Sequence, residues 1–235
     1  MPTTFVTAFY LQPDAGTRRL DDYFCYFEVL AITGVPIILY LDVAFKETGE
    51  KIVAKYKNVK IPEYVNLEVE WAGCREFVMP NTRNVVKDNP YYMFIQLSKL
   101  KLLTNASKIA DTEFIAWIDF GIFHMLRDYE LCKMMLIRIS TSNFPQDKIL
   151  APGCWNPDKH DVWNEICWRF CGTLILGHKA LFAAAEKRQS ELVCNNLPKL
   201  TWEVNYWTMM EEHFQQYWGD HNESLLYQIG NYICE

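Results

Sequence analysis

The chain has 235 residues, of which 50% are hydrophobic and 15% aromatic, and its formal net charge is −6. This length and composition suit a globular protein with a sizeable core and exclude an intrinsically disordered chain. The acidic balance argues against a nucleic-acid-binding protein, which would normally present a basic face.

The first half of the chain alternates segments typical of strands and of helices. Apolar, β-rich runs predict strands at residues 4–10, 35–41, 65–69 and 114–118. Apolar residues at helical spacing predict helices at residues 21–33 and 91–106. Because strands and helices alternate, we expect parallel pairing with right-handed crossovers.

The second half gives a more mixed pattern. It predicts a helix followed by a strand over residues 126–140, a strand at 148–151, a strand or turn at 173–177, and helices at 179–194 and 201–217. No internal repeat and no Gly/Ser-rich or Pro-rich linker divides the chain. We therefore predict a single α/β domain over residues 1–235, with a mixed, mainly parallel sheet flanked by helices. Residues 1–121 are expected to form its nucleotide-type half and residues 122–235 its substrate-facing half.

The apolar runs and the spacing of the cysteines indicate the cellular compartment of the protein. The segment MPTTFVTAFY lacks a basic stretch followed by a long apolar core, so we expect no signal peptide. No apolar run approaches the length needed to cross a bilayer. Cys167 and Cys171 lie four residues apart on a predicted helix, but a zinc site would need a second such pair. We expect a cytoplasmic protein with reduced cysteines and no membrane span.

The most informative segment is FIAWIDFGIFHML, residues 114–126. An apolar strand there delivers Asp119 into a turn at Gly121, and ligands in open α/β sheets gather at the carboxyl ends of strands. Asp42 ends the strand at 35–41, so in a parallel sheet both acids would lie at the same edge. Carboxylates at that edge could ligate a hard divalent cation. The alternative for Asp119 is that it merely caps the helix that follows it.

Further charged groups could complete such a site. His221, in the segment GDHN at 219–222, could add an imidazole ligand, since Mn²⁺ accepts both donor types; the alternative is a surface histidine. Cations could neutralise a diphosphate, and the candidates are Arg18, Arg19, Arg83 and Lys99. Ordinary solvated charge is the alternative, except at Lys99, which lies beside the apolar face of the helix at 91–106.

An aromatic segment in the second half has two interpretations. Exposed rings would form a platform for sugars, with Glu203 and Asn205 to bond hydroxyl groups, whereas aromatic residues at helical spacing usually form core. The residues concerned are Trp155, Trp163, Trp168, Trp202, Glu203, Asn205, Tyr206 and Trp207. The chain contains no P-loop, dinucleotide-binding, zincin or α/β-hydrolase motif.

The order of several segments resembles the HtrL/YibB-like family, which includes WlaTC-type proteins and is related to GT-A glycosyltransferases. The segment WIDFG, preceded at this distance by a Ser-Lys helix, is the most specific of them. The matching segments are FVTAFY (5–10), Tyr23 with Phe27 and Leu30, PIILYLD (36–42), PNTRN (80–84), SKLKLL (98–103), AWIDFGI (116–122) and DHNES (220–224). They span nearly the whole chain.

The resemblance implies a GT-A (Rossmann-like) fold and transfer of a sugar from a nucleotide-sugar donor, more specifically a UDP-sugar. It places the nucleotide base near Thr7, Ala8 and Phe9, and a metal–diphosphate group, with Mn²⁺ or Mg²⁺, near Asp119. The usual metal motif of GT-A enzymes is Asp-x-Asp, but Gly121 stands at the third position here. His221 is the proposed replacement ligand.

The resemblance also implies roles on the acceptor side. CGTLILG at 171–177 resembles a Gly-containing segment that lines the acceptor side, and Glu203 falls where such enzymes place an acid near the anomeric carbon. We therefore expect Asp119 and Glu203 to act in catalysis, and Arg83, Lys99 and Gly121 to contact the donor. The acceptor would be a glycan or another hydroxyl compound. The alternatives are a catalytically inactive carbohydrate- or nucleotide-binding module and, more distantly, a metal-dependent phosphohydrolase.

Overall fold

The structure is a computed structural model that describes residues 3–11, 19–66, 76–126, 128–153 and 160–218. The strands are β1 (Thr3–Phe9), β2 (Ile37–Asp42), β3 (Val59–Lys60), β4 (Tyr64–Val65), β5 (Phe114–Ile118), β6 (Ile149–Gly153), β7 (Leu174–His178) and β8 (Phe214–Trp218). The helices are α1 (Leu20–Ala31), α2 (Lys46–Lys55), α3 (Pro90–Ser107), α4 (Tyr129–Thr141), α5 (Phe182–Asn196) and α6 (Glu203–Met209).

All described strands belong to one sheet, in the order β3-β2-β1-β5-β7-β6-β8, with β4 also paired to β2. The central strand β1 runs parallel to both β2 and β5. The two pairings of β7, with β5 and with β6, are antiparallel, and β8 is parallel to β6. The predicted fold class, a mixed, mainly parallel α/β sheet flanked by helices, is confirmed. Because β1, β2 and β5 are parallel, their carboxyl ends share one edge.

Each face of the sheet carries its own apolar core. On one face α3, α5 and α6 cover the sheet, and Val6, Tyr40 and Trp117 belong to that core. On the other face α1 and α4 pack, with Phe5 and Phe27 in the core. Side chains of a strand alternate between faces, so β1 contributes to both cores. None of the described helices is long and apolar enough to cross a membrane.

Helix α3 begins with a strong local signal. The Asn89 side chain accepts a hydrogen bond from the backbone N–H of Tyr92 at 2.8 Å, and Pro90 occupies the first helical position. The short connection from α3 to β5 makes the helix antiparallel to that strand. Its first turn therefore lies above the shared carboxyl edge, where the Tyr91 hydroxyl donates to the Leu11 carbonyl at 3.0 Å.

Several sequence predictions about the second half are wrong. Residues 126–140 do not form a helix followed by a strand, because the Asp128 side chain caps one helix, α4, that continues to Thr141. The predicted helix at 201–217 is the short α6, a 3₁₀ turn and then β8. A continuous apolar run is compatible with a buried helix or a buried strand, so periodicity could not separate them. Residues 162–171, including both cysteines at 167 and 171, form turns and not a helix.

Two elements of the first half were not predicted, and one is only partly described. Helix α2 and strand β3 follow β2 without a clear signal in the sequence, since α2 is largely polar and β3 has two residues. The strand predicted at 65–69 corresponds to β4, which ends at Val65. Residues 67–69 lie outside the described residues.

Candidate active site at the carboxyl edge of the sheet

Asp119 directly follows the buried strand β5 at the shared carboxyl edge. Its backbone N–H donates to the Thr173 carbonyl at 3.0 Å, and its Oδ1 accepts a hydrogen bond from Trp117 Nε1 at 2.7 Å. The side chain is 35% exposed. Within the described residues, no hydrogen bond reaches Oδ2. Asp119 therefore has one oxygen engaged by the protein and one available to a ligand.

Lys99 lies beneath Asp119 on the buried face of α3, with a side chain that is 2% exposed. Its Nζ is 3.3 Å from Asp119 Oδ1 and 3.0 Å from Glu203 Oε1, and it donates to the Gly172 carbonyl at 2.8 Å. It also lies 5.7 Å from the centre of the Trp117 ring. Sequence periodicity placed Lys99 beside the apolar face of this helix, but it lies within that face because these acceptors satisfy the ammonium.

Glu203 is the first residue of α6, and its side chain is 8% exposed. Gly172 lies against it so closely that a Cβ at that position would be 2.3 Å from Glu203 Oε1 and 3.0 Å from Lys99 Nζ. Only glycine allows the backbone before β7 to approach both charged groups. Gly172 was not singled out from the sequence, although it stands in the CGTLILG segment.

Lys99, Asp119 and Glu203 form a charged cluster whose charges do not balance. Two carboxylates, Asp119 and Glu203, share the single ammonium of Lys99, so the ionised cluster carries one surplus negative charge. Burial by itself lowers the pKa of Lys99, but the two carboxylates and their hydrogen bonds reverse this and raise it above its ordinary value. Lys99 is therefore charged at neutral pH. A surplus negative charge in apolar surroundings favours a positively charged ligand or transition state.

Tyr92 lies on the same side of α3 as Lys99, seven residues before it. Burial raises the pKa of its phenol well above the ordinary value, and the charges of Glu203 and Asp119 raise it further. Its ring lies 5.0 Å from Lys87 Nζ. The phenol is therefore neutral at physiological pH and can donate a hydrogen bond. No pattern in the sequence singled out this residue beyond its position in the first turn of a predicted helix.

The predicted nucleotide-contacting residues lie at the end of β1. Thr7 is fully buried, and its hydroxyl has no hydrogen-bond partner within the described part of the chain. Phe9 belongs to the aromatic core of the α1 face, where its ring stacks on Phe120 with 4.6 Å between centroids. Ala8 packs on the α3 face. Of the three, Ala8 therefore shares a face with Lys99 and Asp119.

Other predicted residues are held by local contacts. Arg83 donates to the Pro80 carbonyl at 3.0 Å, and no contact of Arg83 with Asp119 is found in the described residues. Asp42 is 7% exposed, and its two oxygens accept hydrogen bonds from the N–H groups of Ala44 at 2.9 Å and Leu11 at 3.3 Å. Asp42 therefore acts as a cap, a role considered from the sequence only for Asp119.

Packing explains why residue 121 is a glycine. A Cβ at Gly121 would lie 2.8 Å from Cδ1 of Tyr23 on α1, so the third position of the Asp-x-Gly motif must lack a side chain. This contact brings Tyr23 to the carboxyl edge, close to Asp119. Arg19 pairs with its neighbour Asp21 on the surface, at 3.5 Å. Arg18, Trp155 and His221 lie outside the described residues.

Residues 202–207 of the aromatic segment are core and not an exposed platform, whereas Trp163 is half-buried and Trp168 is 41% exposed. Trp202, Tyr206 and Trp207 are at most 4% exposed. Asn205 is fully buried; its Nδ2 donates to the carbonyls of Val162 and Glu165 at 2.8 and 2.7 Å, and its Oδ1 accepts from the Cys167 N–H at 2.7 Å. Asn205 therefore fixes the loop before Gly172 and is not available to bond a ligand.

No protein-family model and no curated protein matches the chain. Among solved structures it is similar to mouse xyloside xylosyltransferase 1 in its apo form, with 9% identity, a TM-score of 0.43 and coverage of 91% of this chain and 84% of that one. It is also similar to 4-diphosphocytidyl-2C-methyl-D-erythritol synthase from Anaerococcus prevotii, with 12% identity, a TM-score of 0.43 and coverage of 100% and 97%. A third is HddC from Yersinia pseudotuberculosis, with 14% identity, a TM-score of 0.41 and coverage of 99% and 100%. Likenesses at this level establish neither a family nor an activity.

Proposed function

We propose that the protein is a GT-A glycosyltransferase that transfers a sugar from a nucleoside-diphosphate sugar, more specifically a UDP-sugar, to the hydroxyl group of a glycan or another acceptor. The observation that carries the proposal is the buried contact of Lys99 with both Asp119 and Glu203 at the carboxyl edge of the sheet. The sequence resemblance to HtrL/YibB-like proteins suggests the type of transfer.

The surplus negative charge of the cluster suits this reaction. A sugar that loses its leaving group develops positive charge near the anomeric carbon, in an oxocarbenium-like transition state. Preorganised charges aimed at that centre lower the barrier because they need no reorganisation during the reaction. Glu203 is nearly buried and fixed by Lys99, which suits a stationary charge better than a base that must reach an acceptor. We therefore favour transfer with retention of configuration.

A divalent cation, Mn²⁺ or Mg²⁺, is part of the proposal. The described residues contain no group of three or more His, Cys, Asp or Glu side chains that could hold a metal. Asp119 Oδ2 offers one open oxygen, and a cation bound mainly through substrate phosphates needs only one or two protein carboxylates. When bound, such a cation would neutralise the charge that develops on the leaving diphosphate.

A panel of nucleotide sugars tests the proposed function. The protein is incubated with UDP-, GDP-, CMP- and dTDP-sugars and Mn²⁺, and released nucleotide is measured with and without simple sugar acceptors. We expect release of UDP from at least one UDP-sugar and no release of phosphate from UDP or UTP alone. Binding of a donor without release would indicate an inactive binding module, and phosphate release from plain nucleotides would indicate a phosphohydrolase.

His221 is the proposed second protein ligand of the cation, because Gly121 leaves the Asp-x-Gly motif with a single carboxylate. Replacing His221 with Ala is expected to weaken Mn²⁺ binding in the presence of UDP by about tenfold or more, the usual scale for losing part of a metal site. Isothermal titration of Mn²⁺ into the protein with saturating UDP measures this affinity. His213→Ala, which changes a histidine in the turn before β8, is the matched control. Equal affinities in wild-type protein and His221→Ala would exclude His221 as a ligand.

A further inference from the structure

The first turn of α3 overhangs the candidate active site. The Tyr91 hydroxyl donates to the carbonyl of Leu11, which follows the end of β1, and the Leu11 N–H donates to Asp42 Oδ2 at the end of β2. These two hydrogen bonds hold the start of the helix above the carboxyl ends of the parallel strands. Side chains of this turn therefore lie at the same edge of the sheet as Asp119.

Tyr92 is the residue of this turn on the same side of the helix as Lys99. The two are seven residues apart, about two turns, so their side chains leave the helix in nearly the same direction about 10 Å from each other along its axis. The backbone of Tyr92 is fixed by the Asn89 cap at 2.8 Å, and its ring is covered by Lys87 Nζ at 5.0 Å. Both contacts restrict where the phenol can point.

No hydrogen bond of the Tyr92 hydroxyl is found within the described residues. Burial raises the pKa of Tyr92 most, and the negative charges of Glu203, Asp119 and Asp88 raise it further. The raised pKa keeps this hydroxyl protonated. Tyr23 of α1 packs against Gly121, which brings a second tyrosine to this edge of the sheet. The phenol is thus a hydrogen-bond donor on the side of α3 that carries Lys99, whose ammonium contacts both carboxylates of the site.

We propose that Tyr92 contacts the donor sugar, its hydroxyl donating a hydrogen bond to an oxygen of the sugar ring or its hydroxyl groups above Asp119 and Glu203. This role rests on the proposed function. A sugar suits the position because its hydroxyls can donate to the carboxylates and accept from the phenol. A diphosphate suits it less, since its ionised oxygens only accept hydrogen bonds and cannot donate to the carboxylates.

The test is Tyr92→Phe, which removes only the hydroxyl, with Tyr129→Phe as the matched control. Tyr129 is 37% exposed at the start of α4, on the opposite face of the sheet. Calorimetry would compare UDP with the UDP-sugar that the wild-type protein hydrolyses, and KM would be measured for that sugar. We expect Tyr92→Phe to weaken binding of the UDP-sugar and raise its KM about tenfold, the usual effect of losing one hydrogen bond. Affinity for UDP should not change.

Any other outcome of these binding and KM measurements contradicts the proposal. If Tyr92→Phe binds and turns over the UDP-sugar as Tyr129→Phe does, the hydroxyl makes no contact with the sugar. If UDP and the UDP-sugar weaken equally, the contact is with the nucleotide, and the proposed sugar contact is wrong. Thermal midpoints of both variants identify any loss of folding. If the wild-type protein binds no nucleotide sugar at all, the proposed function itself fails, which is a distinct outcome.

Discussion

Replacing Asp119 with Asn is expected to lower turnover by about 100-fold or more while the protein remains folded. Removing one preorganised electrostatic group from an active site typically has an effect of this size. The fold should tolerate the change because Asn is isosteric, its oxygen can still accept from Trp117 Nε1, and Lys99 keeps its contacts with Glu203 and Gly172. The cluster would also become neutral. Turnover of the donor and the thermal midpoint would be measured on the same preparation.

Asp111→Asn is the matched control for this variant, because Asp111 is an exposed acid that pairs with Lys60 at 3.1 Å. It should leave both turnover and the thermal midpoint close to the wild-type values. If Asp119→Asn were as active as Asp111→Asn and equally stable, Asp119 would have no part in catalysis or donor binding.

Replacing Lys99 with Met is expected to remove most activity and to lower the free energy of unfolding by about 3 kcal/mol. Met retains much of the apolar stem but leaves Glu203 without a partner in a buried position, and breaking a buried ion pair typically costs about 3–5 kcal/mol. We expect the lower end of this energy range because the Asp119 side chain is 35% exposed, so solvent stabilises its charge after the lysine is removed. Denaturant unfolding monitored by tryptophan fluorescence would measure the change.

Two further variants separate charge from packing at Lys99. Lys60→Met removes a lysine from an exposed ion pair, so it should cost less than about 1 kcal/mol. The double variant Lys99→Met/Glu203→Gln removes the unpaired carboxylate, so it should recover part of the stability lost in Lys99→Met without restoring activity. If Lys99→Met were as stable as Lys60→Met, the contacts of Lys99 with the carboxylates would contribute little to the fold.

The candidate site was partly predictable because some of its determinants are local. Asp119 follows an uninterrupted apolar strand, and the start of α3 is marked by Asn89 and Pro90. The same kind of reasoning suggested a ligand role for Asp42, although a strand-end acid can also serve as a cap. The hydrogen bonds of Asp42 to Leu11 and Ala44 depend on how two loops approach each other, which no local pattern encodes.

The sequence by itself determined the α/β class, the parallel arrangement of β1, β2 and β5, and the acid at the end of β5, because hydrophobic periodicity and strand–helix alternation act over short stretches of chain. Only the tertiary structure decided that β7 enters the sheet antiparallel and that residues 201–217 divide into α6 and β8. It also decided that Lys99 is buried. Its partner Glu203 is 104 residues away, and the ammonium can lie in the apolar core only because Glu203, Asp119 and the Gly172 carbonyl meet there.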